Sequence, residues 1–301
     1  DVVTLDVEMP VMDGLKALEI IMDEHPLPVV MLSSLTKESA DATLKALSLG
    51  AVDFIPKPKN IFKMHADEMR AQLNEKIKTA AKIKIEKKHS SIHVPAVKGP
   101  HFKLEDSMRK KNIKKIIAIG TSTGGPKALQ QVIPLLPKDM PASVLIVQHM
   151  PAGFTKSLAE RLNSISEIYV KEAEDSEVLL PGHVYIAPGD FHMKIANVYG
   201  EYRIQLSKEK AVFGLRPSVD VMMSSIAKLG DKIKLIAVIM TGMGSDGAEG
   251  MKKIKEQNGL TIAQDEETCI VYGMPKSAID LGGVDEIVPL HVIASRIISL
   301  M

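Results

Sequence analysis

Apolar residues along the chain fall into two recurring patterns, and the alternation between them sets the predicted fold. Short apolar runs lie at 2–5, 28–32 and 51–55. Between them, at 14–22 and 37–49, apolar positions recur every three or four residues. Runs of this length predict buried strands and the helical period predicts amphipathic helices, so residues 1–58 read strand, helix, strand, helix, strand. Asp13 stands where a helix N-cap belongs, and Gly50 where a helix ends. A charged amphipathic pattern continues over 59–84, and the lysine-rich stretch behind it has no period. From 113 the alternation resumes. Strands are predicted at 116–119, 143–147, 184–187, 235–240, 260–263 and 286–288, and helices at 126–133, 154–161, 219–228, 247–257 and 275–280. Strands separated by helices join in parallel through crossovers, which predicts an α/β architecture with largely parallel sheets. The expected organisation is a first domain over 1–84, a linker over 85–112 and a second domain over 113–301.

Composition narrows the function classes. A net charge of +1 on 301 residues argues against a general nucleic-acid binder. Cys269 is the one cysteine, which rules out an internal disulfide and suits a reducing cytoplasm. Its context, Thr268-Cys269-Ile270-Val271, points to a buried structural thiol. No apolar stretch approaches the ~20 residues of a membrane span, so no membrane insertion is expected. The chain opens on Asp1 directly into a strand, and the expectation is that residues have been lost ahead of it.

The chemistry centres on Gly120-Thr121-Ser122-Thr123-Gly124-Gly125, between the apolar run 116–119 and a segment with Pro126 at its first helical turn. Such a turn lifts a serine clear of the sheet, and helix-start N–H groups favour negative charge over it. A phosphate-cradling loop is the alternative, but the dinucleotide fingerprint spaces its glycines differently. A serine nucleophile needs a base, and the base needs an orienting acid. His149 follows the apolar strand at 143–147, one crossover after Ser122. Asp246 follows the strand at 235–240, inside Thr241-Gly242-Met243-Gly244-Ser245-Asp246-Gly247. His149 alone would be a loop histidine and Asp246 alone a helix N-cap; with Ser122 they form a candidate catalytic set. The most useful single observation on this set is whether Ser122 Oγ and His149 Nε2 lie within about 3.5 Å. Its chain order, Ser, His, Asp, differs from that of α/β-hydrolases. His183 and His192 read as packing or surface residues. Arg216 is open between an acidic partner and an internal ion pair.

In the first domain, Asp6, Ser33 and Lys57 fall at the C-terminal ends of the three predicted strands, the edge where open parallel sheets bind ligands. The stretch Leu5-Asp6-Val7-Glu8-Met9-Pro10-Val11-Met12-Asp13-Gly14 resembles the phospho-acceptor loop of response-regulator receiver domains. By that resemblance Asp6 is the phosphorylated residue, and Ser33, Lys57 and Phe54 are the switch hydroxyl, lysine and aromatic. The family's Mg²⁺-holding acidic pair, and the first strands that carry it, have no counterpart here, so a partial flavodoxin-like receiver is expected.

The second domain is similar to the chemotaxis protein-glutamate methylesterases (CheB family). The resemblance rests on the Ser122 and Asp246 loops, on Gln148-His149-Met150-Pro151 and Leu215-Arg216-Pro217-Ser218-Val219-Asp220, and on Val184-Tyr185-Ile186-Ala187-Pro188-Gly189-Asp190 and Tyr272-Gly273-Met274-Pro275. It implies a doubly wound, largely parallel α/β methylesterase domain. It also implies a phosphorylation-controlled serine esterase acting on glutamate methyl esters of chemoreceptors, with glutamine deamidation in some members. Ser122, His149 and Asp246 would be catalytic, with the backbone N–H groups of Thr123 and Met243 as oxyanion donors. The implied partners are methylated chemoreceptors and a chemotaxis histidine kinase as phosphodonor, in the cytoplasm. Catalysis would need no metal or other cofactor, while Mg²⁺ would serve phosphorylation of a complete receiver. A non-enzymatic response regulator and a dinucleotide-dependent oxidoreductase are the competing readings.

Overall fold

A computed structural model describes residues 1–57, 66–83 and 113–301. The expectations for 58–65 and for the linker over 85–112 lie outside the described residues. The described residues form two compact units, one within 1–83 and one within 113–301.

The first unit runs β1 (Val3–Asp6), α1 (Gly14–Glu24), β2 (Val29–Ser33), α2 (Lys37–Leu49), β3 (Asp53–Pro56) and α3 (Ala66–Ala80). Its strands form a parallel sheet in the order β1-β2-β3. Asp13 caps α1 by accepting from Lys16 N at 2.8 Å, as its position in the sequence predicted. Thr36 caps α2 in the same way. Val29, Val30, Met31, Phe54 and Ile55 are all buried. A parallel sheet covered on both faces leaves no polar side, which is why its strands read as unbroken apolar runs.

The second unit is built on a seven-stranded, wholly parallel sheet. Its strands are β4 (Lys115–Thr121), β5 (Ala142–Gln148), β6 (Tyr169–Glu172), β7 (His183–Ile186), β10 (Lys234–Ile239), β11 (Leu260–Gln264) and β12 (Glu286–Val288), in the order β12-β11-β10-β4-β5-β7-β6. The helices are α4 (Gly125–Val132), α5 (Phe154–Ser164), α6 (Val219–Ala227), α7 (Ala248–Glu256), α8 (Met274–Asp280) and α9 (Leu290–Ser299). The core is drawn from both faces of β4, β5 and β10, with Met222, Met223 and Ile226 of α6 and Met251 and Ile254 of α7 against it. An antiparallel ribbon, β8 (His192–Val198) with β9 (Glu201–Ser207), stands outside this sheet. The sequence reading did not foresee β6, this ribbon or α9.

Candidate active site

The sheet order makes β10, β4 and β5 neighbours, with β4 between the other two. Their C-terminal ends therefore deliver the 241–246 loop, Ser122 and His149 side by side; β4 and β5 are neighbours as expected of strands joined by one crossover, and β10 flanks β4 on its other side. Backbone hydrogen bonds continue the pairing past the strands. Ser122 N donates to Thr241 O at 3.0 Å, and His149 N donates to Thr121 O at 3.2 Å. Gly242 lies directly against Ser122: a Cβ on it would come within 2.8 Å of Ser122 Cβ and collide with Met274 Sδ. Only glycine permits that approach, and it brings Met243 to the turn that carries Ser122 and Thr123.

His149 and Asp246 are bonded, His149 Nε2 to Asp246 Oδ2 at 2.7 Å, with side chains 8% and 1% exposed. This corrects one expectation. Nε2 is bonded to the aspartate and is not the nitrogen turned to Ser122; among the described residues no hydrogen bond joins Ser122 Oγ to the ring, and Nδ1 is the nitrogen that Asp246 leaves open.

Asp246 receives three further donors, and these the sequence reading missed. Ser218 Oγ donates to Oδ1 at 2.8 Å, Asp220 N to Oδ1 at 3.0 Å, and Val219 N to Oδ2 at 2.7 Å. The last two belong to the first turn of α6, whose free N–H groups and dipole favour an anion. Gly247 makes the approach possible, since a Cβ there would press on Val219 and Ile239. Asp220 returns the arrangement by accepting from Gly250 N in α7 at 2.7 Å. The starts of α6 and α7 thus each hold a carboxylate from the other's segment. Burial pushes the Asp246 carboxyl up, but the His149 bond and the α6 amides outweigh it and hold it below the usual carboxylate range. An ionised acid fixed at four points is suited to orient an imidazole and to stabilise it when charged.

Gln148 ties the His149 backbone to the Ser122 turn. Its amide nitrogen donates to Ser122 O at 3.0 Å and His149 O at 3.2 Å, and its Oε1 accepts from Thr121 Oγ1 at 2.6 Å. Replacing Ser218 by alanine removes one donor from the acid and the side-chain cap of α6. Turnover of an activated small ester is expected to fall about tenfold with KM held, since a hydrogen bond to a charged group contributes ~1.5–3 kcal/mol. Steady-state kinetics on this variant check it; a raised KM at full turnover would make Ser218 a binding residue.

The other candidates are structural. His183 Nδ1 lies 2.9 Å from Pro181 O, and His192 Nε2 lies 3.2 Å from Lys210 O, both rings buried. Burial pushes the Cys269 thiol up to about 12, far from a reactive thiolate. Arg216 is paired internally, with Asp190 and with the carbonyls of Lys208 and Glu209, which resolves the alternative left open by the sequence.

In the first unit Lys57 Nζ meets Asp6 Oδ2 at 2.5 Å, and Glu8 N donates to Asp6 Oδ1 at 3.1 Å. Burial raises the Asp6 carboxyl, and these bonds outweigh it and hold it below the usual range. Ser33 is fully buried, and its hydroxyl accepts from Thr43 Oγ1 at 2.7 Å, turned into α2 and not toward Asp6. Phe54 is buried, with Lys76 Nζ 5.4 Å from its ring centre. Among the described residues no group of three or more His, Cys, Asp or Glu could hold a metal ion. Asp6 and Glu8 are the carboxylates at this strand end, and Glu8 is taken by Ser34 and Ser39. These residues do not fit a Mg²⁺ site by themselves.

A family model described as CheB methylesterase matches residues 117–297, more than half of the chain. The chain belongs to the CheB methylesterase family. A second model, described as response regulator receiver domain, matches residues 1–67. Among CheB relatives, the protein-glutamate methylesterase/protein-glutamine glutaminase of Halalkalibacterium halodurans is 50% identical over 298 residues, covering 99% of this chain and 84% of that one. The Thermotoga maritima protein of the same name is 45% identical over 308 residues, covering 100% of this chain and 85% of that one. The crystal structure of the Thermotoga maritima CheB methylesterase catalytic domain is 51% identical, with a TM-score of 0.61, covering 62% of this chain and 98% of that one. Among the described residues, no helix is long and apolar enough to cross a membrane.

Proposed function

We propose that the chain is a phosphorylation-regulated serine esterase that hydrolyses glutamate methyl esters on chemoreceptors and also deamidates receptor glutamines. The observation that supports this best is the His149–Asp246 pair, bonded at 2.7 Å at the strand ends flanking the Ser122 turn. Ser122 Oγ attacks the ester carbonyl while His149 Nδ1 takes its proton. The N–H groups of Thr123 and Met243 hold the oxyanion, a contribution of roughly 10²-fold or more in rate per donor. The carbonyl re-forms, methoxide leaves with the proton from His149 as methanol, and an acyl-enzyme remains on Ser122. Water activated by the same imidazole then releases the glutamate carboxyl. A glutamine follows the same course with ammonia as leaving group. Asp246 stays ionised throughout and stabilises the imidazolium.

The domain reading is a receiver over 1–84, a linker over 85–112 and a catalytic domain over 113–301, working in the cytoplasm. A chemotaxis histidine kinase supplies the phosphoryl group to Asp6, with Ser33, Lys57 and Phe54 as the switch. Lys57 is placed to compensate charge on a phosphorylated Asp6, and Ser33 would have to leave Thr43 to reach it. Mg²⁺ would serve that transfer in a complete receiver.

Removing residues 1–112 is expected to raise the basal rate on an activated small ester if the receiver restrains the esterase. The remainder corresponds to a domain solved on its own in a 51% identical relative. Equal rates for the short and full chains would instead leave receptor recruitment as the receiver's task. Methanol release from methylated receptor membranes tests the reaction itself, and none from the full chain would overturn the reading.

A further inference from the structure

Two exposed aromatics stand in the left-handed backbone region, and they differ in where they stand. Phe213 has φ +49° and is 83% exposed; Tyr199 has φ +52° and is fully exposed. Each is followed by a glycine that also has positive φ, Gly214 and Gly200. Two successive left-handed residues make the tight hairpin turn that glycine and asparagine favour. For a bulky residue this backbone is an outlier, and an exposed phenyl ring recovers nothing by burial.

The Phe213 turn is braced. Val212 and Leu215 close it with reciprocal backbone bonds of 3.1 and 2.8 Å. Arg216 Nη1 donates to Lys208 O and Glu209 O at 3.2 and 3.0 Å, and its Nε donates to Asp190 Oδ1 at 3.1 Å. Asp190 N donates back to Arg216 O at 3.1 Å. The ring is therefore held out by a fixed support.

That support is continuous with the active site by two routes. Arg216 lies two residues before Ser218, which bonds Asp246 at 2.8 Å. Gly189, next to Asp190, lies so close to Pro151 and Ala152 that a Cβ on it would collide with their backbone, and this segment directly follows His149. Phe213 stands five positions before Ser218, a reach of at most about 18 Å. Tyr199 sits at the other end of the β8–β9 ribbon, seven residue pairs from His192 and Ser207.

Charge around the turn is positive. Lys194, Lys208, Lys210 and Arg216 stand against Glu209 and Asp190, through the pairs Lys194–Glu209, Lys208–Asp190 and Arg216–Asp190. Lys210 is exposed beside them.

We propose that the Phe213 turn is the docking point for the methylated receptor segment. Phe213 seats between apolar side chains of that segment, and exposed Lys210 faces the carboxylates that demethylation leaves on it. A rigid aromatic anchor with a charged rim is how protein surfaces of this kind are recognised. The proposal deepens the esterase reading and rests on it.

The test compares full-length wild type, Phe213→Gly and Tyr199→Gly, on an activated small ester and on methylated receptor membranes. Glycine suits both turns, so both variants are expected to keep or raise the thermal midpoint. Phe213→Gly is expected to hydrolyse the small ester at the wild-type rate, with KM for receptor membranes raised about tenfold, the loss of one interface anchor. Tyr199→Gly is expected to match wild type on both. An unchanged receptor KM for Phe213→Gly would overturn the proposal, as would an equal rise for Tyr199→Gly. A changed small-ester rate for Phe213→Gly would also overturn it, assigning the ring to the catalytic unit or to a contact with the receiver. Wild type releasing no methanol from receptors would overturn the esterase reading instead.

Discussion

Ser122→Ala is expected to leave the fold intact and lower methyl-ester hydrolysis by roughly 10⁶-fold, the scale on which serine hydrolases lose rate with their nucleophile. In the proposed mechanism the deleted oxygen is the atom that forms the acyl bond. Ser122 Oγ does not carry the turn, which is held by backbone: Ser122 N on Thr241 O, and Gln148 Nε2 and Gly125 N on Ser122 O. Substrate affinity should therefore change little. Methanol release from methylated receptor membranes, read beside the thermal midpoint, checks both halves of this expectation. Release at the wild-type rate would remove Ser122 from the mechanism.

Asp246→Asn is expected to lower turnover by about 10⁴-fold, because the histidine loses its orienting charge. The structure adds a second consequence. Asp246 accepts four hydrogen bonds on two oxygens, from His149 and Ser218 and from the amides of Val219 and Asp220. Asparagine offers one oxygen, so its NH₂ group must face donors, and the start of α6 loses part of its anion. Stability should fall by about 1–3 kcal/mol, the usual cost of leaving buried donors unmade. KM for a small ester should be nearly unchanged. Weakened affinity at full turnover would show that Asp246 binds substrate and does not orient the base.

Much of this was legible in the sequence where one signal dominated. The runs at 116–119, 143–147 and 235–240 are buried strands of a parallel sheet, and burial on both faces erases any competing alternation. The crossover rule then placed Ser122 and His149 on adjacent strand ends. Asp246 came to the same edge because β10 inserts on the far side of β4, a fact of topology that residue spacing does not contain. Ser218 caps the start of α6, accepting from Val221 N at 3.3 Å. Its second bond, to a carboxylate 28 residues away, depends on the packing of α6 against α7 and left no local trace.

The elements that were missed have equally physical causes. In β8 and β9 the buried positions Met193, Ile195 and Ile204 are interleaved with charged and polar residues. The turn joining them is Tyr199-Gly200, which lacks the usual asparagine or aspartate signal. In α9, Leu290, Ile293, Ala294 and Ile297 do make a helical stripe, but Pro289 at its start supplies no side-chain cap. The ring orientation of His149 could not be read from sequence at all, because either nitrogen satisfies the same spacing.

The most direct test of the central claim is mass analysis of the full-length protein during turnover of an activated ester that deacylates slowly. An acyl adduct of the mass of the acid portion is expected on the peptide carrying Ser122, formed in a burst equal to the enzyme present. It should be absent from Ser122→Ala. Steady hydrolysis without any adduct, or an adduct on a residue other than Ser122, would contradict the account.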